Sequence, residues 1–176
     1  IAVTEPNNVK ALAAIAIYRS LRWGKHLEIV ITDNRSYRSD HALPEELTLG
    51  NPLIFDPRVG LPKLAVETLD AGRTANNGMP PNEVQGLANA RKASPPGTML
   101  GAEQKAWWKA TMAASDATFK VWVNSVPLLC LRLERSAVPL LPYDLLLSSD
   151  AWDGYNTERK ELMGYLKDQG IANVVS

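Results

Sequence analysis

The sequence predicts a mixed α/β fold in which helices pack on a sheet. Two observations carry this. The run Leu27–Ile31 (LEIVI) is short, β-branched and closed by the turn formers Thr32, Asp33 and Asn34. A helical pattern followed by a strand pattern then occurs twice, at residues 98–115 with 119–124, and at residues 155–169 with 171 onward. Continuous apolar strands interleaved with helices suit layers rather than an all-helical bundle.

Taken in order, Ile17–Trp23 alternates apolar and polar residues and runs through Gly24 and Lys25 into the LEIVI run, which predicts a β-hairpin; helix competes for Val9–Ile17. LEIVI itself reads as a buried strand ending at Asp33. From about residue 42 to 97 the chain is rich in Pro, Gly and Asn, with short apolar clusters only at Leu53–Phe55 and Leu61–Val66, and it reads as a long insertion, either a covering loop or a mobile segment. Next, Ala102, Ala106, Trp107, Ala110, Ala113 and Ala114 recur near helical spacing opposite Glu103, Lys105 and Lys109, predicting an amphipathic helix. In the following strand, Phe119, Val121 and Val123 alternate with Lys120, Trp122 and Asn124. The last helix groups Leu162, Met163 and Leu166 on one face, with Asn156 or Thr157 as N-cap and Gly170 as its stop.

Composition narrows the function. A 45% hydrophobic chain of 176 residues can bury a sizeable core, and its 19 basic and 19 acidic residues cancel, which argues against nucleic acid and against a polybasic membrane patch. The run Ala11–Ile17 is far too short to span a bilayer. Cys130 is the single cysteine, so no intrachain disulfide can form; it reads as a small buried hydrophobe. The opening at Ile1 and the strand-like close at Asn173–Ser176 read as those of a fragment.

Four stretches stand out together: IYRSLRWGKHLEIVITDNRSY at 17–37, TMLGAEQKAW at 98–107, KVWVNSVP at 120–127 and SDAWDGYNTER at 149–159, with GIANVVS closing the chain. In this order and spacing they resemble the PhoD-like alkaline phosphatase family, over nearly the whole chain. The resemblance implies part of a calcineurin-like metallophosphoesterase domain, an αββα sandwich with two mixed sheets face to face, spanning residues 1–176. It implies hydrolysis of phosphate mono- or diesters with iron and calcium as cofactors, and an extracytoplasmic location. The family's Gly-Asp-x-x-Tyr and Trp-Asp-Asp-His motifs are not found here, and its Gly-Asp-x-His motif would follow Ser176, so the main metal ligands are expected to lie outside the chain and the chain to be inactive alone. Val123 and Asn34 replace the family's usual Gly and Thr. The alternative is a non-catalytic remnant or binding module that keeps only the sheet scaffold.

The candidate substrate-binding residues are Arg35, Asn124 and Tyr155, with Asp33 and Trp152 beside them. Arg35 follows a strand end and can fork two hydrogen bonds to phosphate, or form an ion pair with Asp33 that holds the turn. Asn124 could present its amide to a bound phosphate, or simply precede the turn at Pro127. Asp150 and Asp153, three residues apart before a helix, could supply oxygen ligands to a metal such as calcium; alternatively Asp153 or Asn156 caps that helix while Trp152 fills the core. His26 and His41 lack a paired metal-ligand spacing and are expected in turns or at the surface. Trp107, Trp108 and Trp122 are expected to pack a helix on the sheet.

Overall fold

A computed structural model describes residues 4–43 and 61–176; the apolar cluster Leu53–Phe55 lies outside them. The first element is helix α1, Pro6–Ala14, and extended structure resumes with β1 at Arg19–Trp23. Strand β1 pairs antiparallel with β2, Leu27–Ile31, through a turn in which Gly24 takes a positive φ of 59°. The expected hairpin is therefore present. A side chain at such a φ is strained, which explains glycine there.

After β2 the chain reaches β3 (Leu61–Pro62), helix α2 (Lys63–Ala71), and the two-residue strands β4 (Glu83–Val84) and β5 (Leu87–Ala88). Helix α3 (Gly101–Ala114) leads into β6, Phe119–Val123. Short β7 (Arg132–Leu133) and β8 (Leu145–Leu146) follow, then a single turn of 3-10 helix at Trp152–Tyr155, helix α4 (Asn156–Asp168) and β9 (Val174–Val175). The main sheet has the order β1-β2-β6-β9, with β2, β6 and β9 mutually parallel. Parallel strands need crossovers, and α3 and α4 are the last elements of the two connections.

One core lies between this sheet and α3 and α4. Val30 and Trp122, neighbours across the β2–β6 pairing, meet Met99, Leu100, Trp108, Met112, Trp152, Tyr155 and Leu162. Trp108 and Trp152 flank Trp122 with ring centroids 4.6 and 5.7 Å away. Three buried indoles dominate the apolar area removed from water here. Trp107 is half-buried, packs against the rim of this core and also meets Tyr18, with ring centroids 4.8 Å apart and the rings tilted by 51°.

Several faces differ from the sequence expectation. On α3 the buried line is Gln104, Trp108 and Met112, continuing from Leu100, while Ala102, Ala106, Ala110, Ala113 and Ala114 are exposed. A Trp and a Met bury far more area than alanines can, so the large side chains choose the inward face. On β6, Trp122 packs against the helices as expected, together with Lys120, whose Nζ donates to the Ala117 carbonyl at 3.0 Å, whereas Phe119 and Val123 are exposed. Strand β2 is buried fully only at Val30, because the described residues cover just one face of the sheet. Cys130 is exposed rather than buried.

The Pro/Gly/Asn-rich segment contains ordered structure. Helix α2 buries Ala65, Val66 and Leu69 against Ala42, Leu43, Leu61, Val84, Leu87 and Leu146, forming a second small core. The i, i+1, i+4 spacing of 65, 66 and 69 is that of a helix face, hidden in the sequence by the breakers around it.

Carboxylates join the three helices. Asp70, near the end of α2, accepts the Thr157 amide in the first turn of α4 at 2.7 Å. Glu158 of α4 in turn accepts the Met99 and Leu100 amides ahead of α3 at 2.6 and 3.0 Å, and the Thr98 hydroxyl at 2.6 Å. Helix N-terminal amides lack intrahelical acceptors, so each carboxylate supplies one from a neighbouring helix. The expected local N-cap on α4 is absent, and Asn156 is engaged instead with Glu67 and Arg159. At the other end of α4, Gly170 at φ 63° and the bonds Gly170 N–H to Lys167 and Ile171 N–H to Leu166 close the helix as the sequence predicts.

Candidate functional site

The polar residues singled out in the sequence gather at the carboxyl ends of the parallel strands. Strand β2 delivers Thr32, Asp33, Asn34 and Arg35, β6 delivers Asn124 and Ser125, and β9 delivers Ser176. In open α/β sheets this edge is where ligands bind, since the loops there diverge and expose backbone and side-chain donors.

Asn124 is the hub. Its Oδ1 accepts from Trp152 Nε1 at 3.3 Å and from Asn34 Nδ2 at 3.4 Å, and lies 3.4 Å from the Thr32 hydroxyl. Thr32 Oγ1 also accepts the Trp122 indole N–H at 3.0 Å, which ties the hub to the aromatic core. With its oxygen surrounded by donors, Asn124 must turn its Nδ2 outward, and that amide reaches Ser176 Oγ at 3.1 Å. Asn34 is fixed in the same way, since its Oδ1 accepts the Ser125 amide at 3.3 Å. Beside Asn124 opens a cleft of about 400 Å³ lined by Asn124, Ser125, Ser176 and the apolar residues 126–129.

Asp33 shapes the turn after β2. Its Oδ1 accepts the Arg35 and Ser36 amides at 2.9 and 3.0 Å, and Gln104 of α3 clamps its backbone with bonds of 2.7 and 2.9 Å. Burial pulls its carboxyl upward, but the hydrogen bonds from Ser36 and Arg35 outweigh it and hold the group below the usual range. The turn therefore rests on an Asp33 side chain bonded to backbone amides, not on an Asp33–Arg35 ion pair. Gln104, absent from the sequence candidates, is legible only once Trp108 and Met112 are known to define the buried face of α3.

Arg35 instead faces Asp150. Its two terminal nitrogens grip the two carboxylate oxygens at 2.7 and 2.6 Å, Arg38 adds a bond to Oδ1 at 2.7 Å, and His41 Nε2 stands 3.7 Å from the same oxygen. The Arg35 fork, opposed by partial burial and reinforced by Arg38, holds Asp150 at a pKa of about 2. Arg38 and His41 are not among the sequence candidates; His41, expected in a turn or at the surface like the exposed His26, is half-buried beside this carboxylate. Tyr155 is buried beneath this cluster, its hydroxyl donating to the Ser39 carbonyl at 2.7 Å, and burial pushes its pKa up. Trp152 is fully buried and contributes through its N–H to Asn124.

Asp153 is 2% exposed, and its Oδ2 accepts the Leu131 amide at 2.6 Å while Oδ1 lies 3.7 Å from Arg132. Asp150 and Asp153 thus sit in separate settings, one half-exposed between Arg35 and Arg38 and one buried against the Leu131 amide and Arg132. Among the described residues no group of three or more His, Cys, Asp or Glu converges as a metal would require. The donors among the described residues do not by themselves make up an iron or calcium centre.

Comparison with known proteins identifies the family and the fold. The family described as PhoD-like phosphatase matches residues 5–176. The chain is similar to alkaline phosphatase D of Bacillus subtilis (strain 168), with 29% identity over 82 residues, which are 47% of this chain and 13% of that protein. It also resembles the solved structure titled "Structure of PhoD" at a TM-score of 0.58 and 21% identity, covering 91% of this chain and 22% of that one. The likeness to that structure concerns the fold, and the chain spans under a quarter of either relative's length.

Proposed function

The chain belongs to the PhoD-like phosphatase family, and from that membership we propose that it supplies the substrate-binding strand ends of a metal-dependent phosphate-ester hydrolase. The observation that carries the proposal is the gathering of Arg35, Asn124 and Ser176 at the ends of three strands, with Asn124 held by the buried Thr32, Asn34 and Trp152 and Arg35 gripped by the half-exposed Asp150. In this reading the Arg35 guanidinium binds two oxygens of a phosphoryl group, and the outward Asn124 amide donates to a third. Tyr155 supports the binding edge from below by fixing Ser39. The iron and calcium that the family resemblance implies would polarise the ester and activate water. Most of their ligands would come from residues other than those described, with Asp150 and Asp153 able to supply at most part of the set. We also propose an extracytoplasmic location, by resemblance.

The uncovered face of the main sheet fits the same reading. Leu21, Trp23, Phe119, Val123 and Val175 share it and are all exposed. A contiguous apolar sheet face of this kind needs a partner layer, and we read it as the inner face of a two-sheet calcineurin-like sandwich.

The test pairs this chain with the full-length product of its gene in an assay of bis-nitrophenyl phosphate hydrolysis, with iron and calcium added and then chelated. The proposal expects chelator-sensitive turnover by the full-length product and none by the chain alone. Absence of turnover in both would favour the non-catalytic binding module.

A further inference from the structure

We propose that Arg35, Arg38 and His41 form a phosphate-binding subsite in which Asp150 is a resident, displaceable counter-ion. This deepens the proposed function and rests on its placing substrate at the strand ends. Two guanidiniums and an imidazole converge on one carboxylate, so positive charge exceeds negative within the cluster. The cluster is open to solvent: the Arg35 and Asp150 side chains are 53% and 48% exposed. An exposed ion pair contributes little to stability, so exchanging its anion is cheap.

The geometry suits that exchange. The Arg35 fork already binds two oxygens of a planar carboxylate, the arrangement in which guanidinium also receives two oxygens of a phosphate. Arg38 and His41 approach Oδ1 from other directions, where a tetrahedral anion would offer its further oxygens. A phosphate dianion carries more charge and more acceptors than a carboxylate and competes with Asp150 for the same donors. The supports beneath are rigid: Asp33 and Gln104 fix the Arg35 turn, and the Tyr155 hydroxyl fixes Ser39 next to Arg38. Asp150 itself sits on a loop tied locally by its amide to Ser148 Oγ at 3.2 Å, which leaves its side chain able to withdraw without breaking the core.

The experiment titrates inorganic phosphate, and dimethyl phosphate as a diester monoanion, into the 176-residue chain while following the arginine Nε–H resonances by NMR. Expected is a saturable shift confined to Arg35 and Arg38, larger for the phosphate dianion, with Asp150→Asn binding phosphate at least 10-fold more tightly and Arg38→Gln losing most of the affinity. A fixed structural ion pair would give no shift in the wild type, or an Asp150→Asn variant binding no more tightly, and either result overturns the proposal. Should Asp150→Asn not fold, the wild-type shifts and their loss in Arg38→Gln decide alone. Binding is read without turnover, so an inactive enzyme with intact phosphate binding would refute the hydrolase reading and leave this site standing.

Discussion

Asp70 and Asp150 respond to acid in opposite directions. Burial raises Asp70 from 3.8 to about 6, despite its bond from the Thr157 amide. A raised carboxyl favours the proton in the folded state, so its contribution to stability is complete below pH 3.8 and is lost as pH rises through about 6. Asp150, lowered to about 2, contributes above the ordinary aspartate range and loses that contribution as pH falls toward its folded value. Urea unfolding of wild type and Asp70→Asn between pH 4 and pH 7 is expected to show the wild type losing about 2 kcal/mol relative to the variant across that window; parallel curves would refute the assignment. Glu158→Gln is expected to cost about 1–3 kcal/mol, because one amide oxygen cannot serve the Thr98 hydroxyl and two backbone amides as the carboxylate does. Neither Asp70 nor Glu158 is recognisable in the sequence as a cap, since each serves a helix other than its own. The placement of Arg35 and Asn124 just past the ends of β2 and β6 was legible, because the apolar strand patterns stop immediately before them.

At the scale of elements, periodicity located α3, α4 and the strands β1, β2, β6 and β9, but on α3 it misassigned which face goes inward. An alanine row looks like a helix face by spacing, yet burial follows area, and Trp108 and Met112 supply more of it. Helix α2 was missed because Pro and Gly around it dominate the local reading, while its apolar face is satisfied by residues distant in sequence such as Leu43 and Leu146. The turn that carries Asp150 and Trp152 is packed tightly: a Cβ on Gly154 would lie 2.0 Å from the Ser149 carbonyl oxygen. Gly154→Ala must therefore displace the 149–154 backbone. The expected outcome is a loss of at least about 2 kcal/mol in unfolding experiments together with disturbed Arg35 Nε–H resonances; an unperturbed variant would show that this turn does not position Asp150.

For the molecule as a whole, the sheet has one face dressed by helices and one bare among the described residues. Trp23 is 77% exposed there, beside Leu21 and Phe119. Such a patch drives association, so the isolated chain is expected to self-associate and to bind a hydrophobic dye, and Trp23→Ser with Phe119→Thr to reduce both while changing stability by no more than about 1 kcal/mol. Sedimentation showing a monomer with no dye binding would contradict the two-layer reading. The α/β class was legible from the strand and helix alternation, but which face lacked cover was not, because both faces of β2 and β6 carry apolar residues. The central claim is that the strand ends of this chain bind the phosphate ester. Its most direct test is kcat/KM for bis-nitrophenyl phosphate in the full-length product carrying Asn124→Ala or Arg35→Ala, with folding checked by circular dichroism. The account predicts a fall of about 100-fold for each variant at unchanged fold; activity within a factor of about two of wild type for both would place the substrate elsewhere.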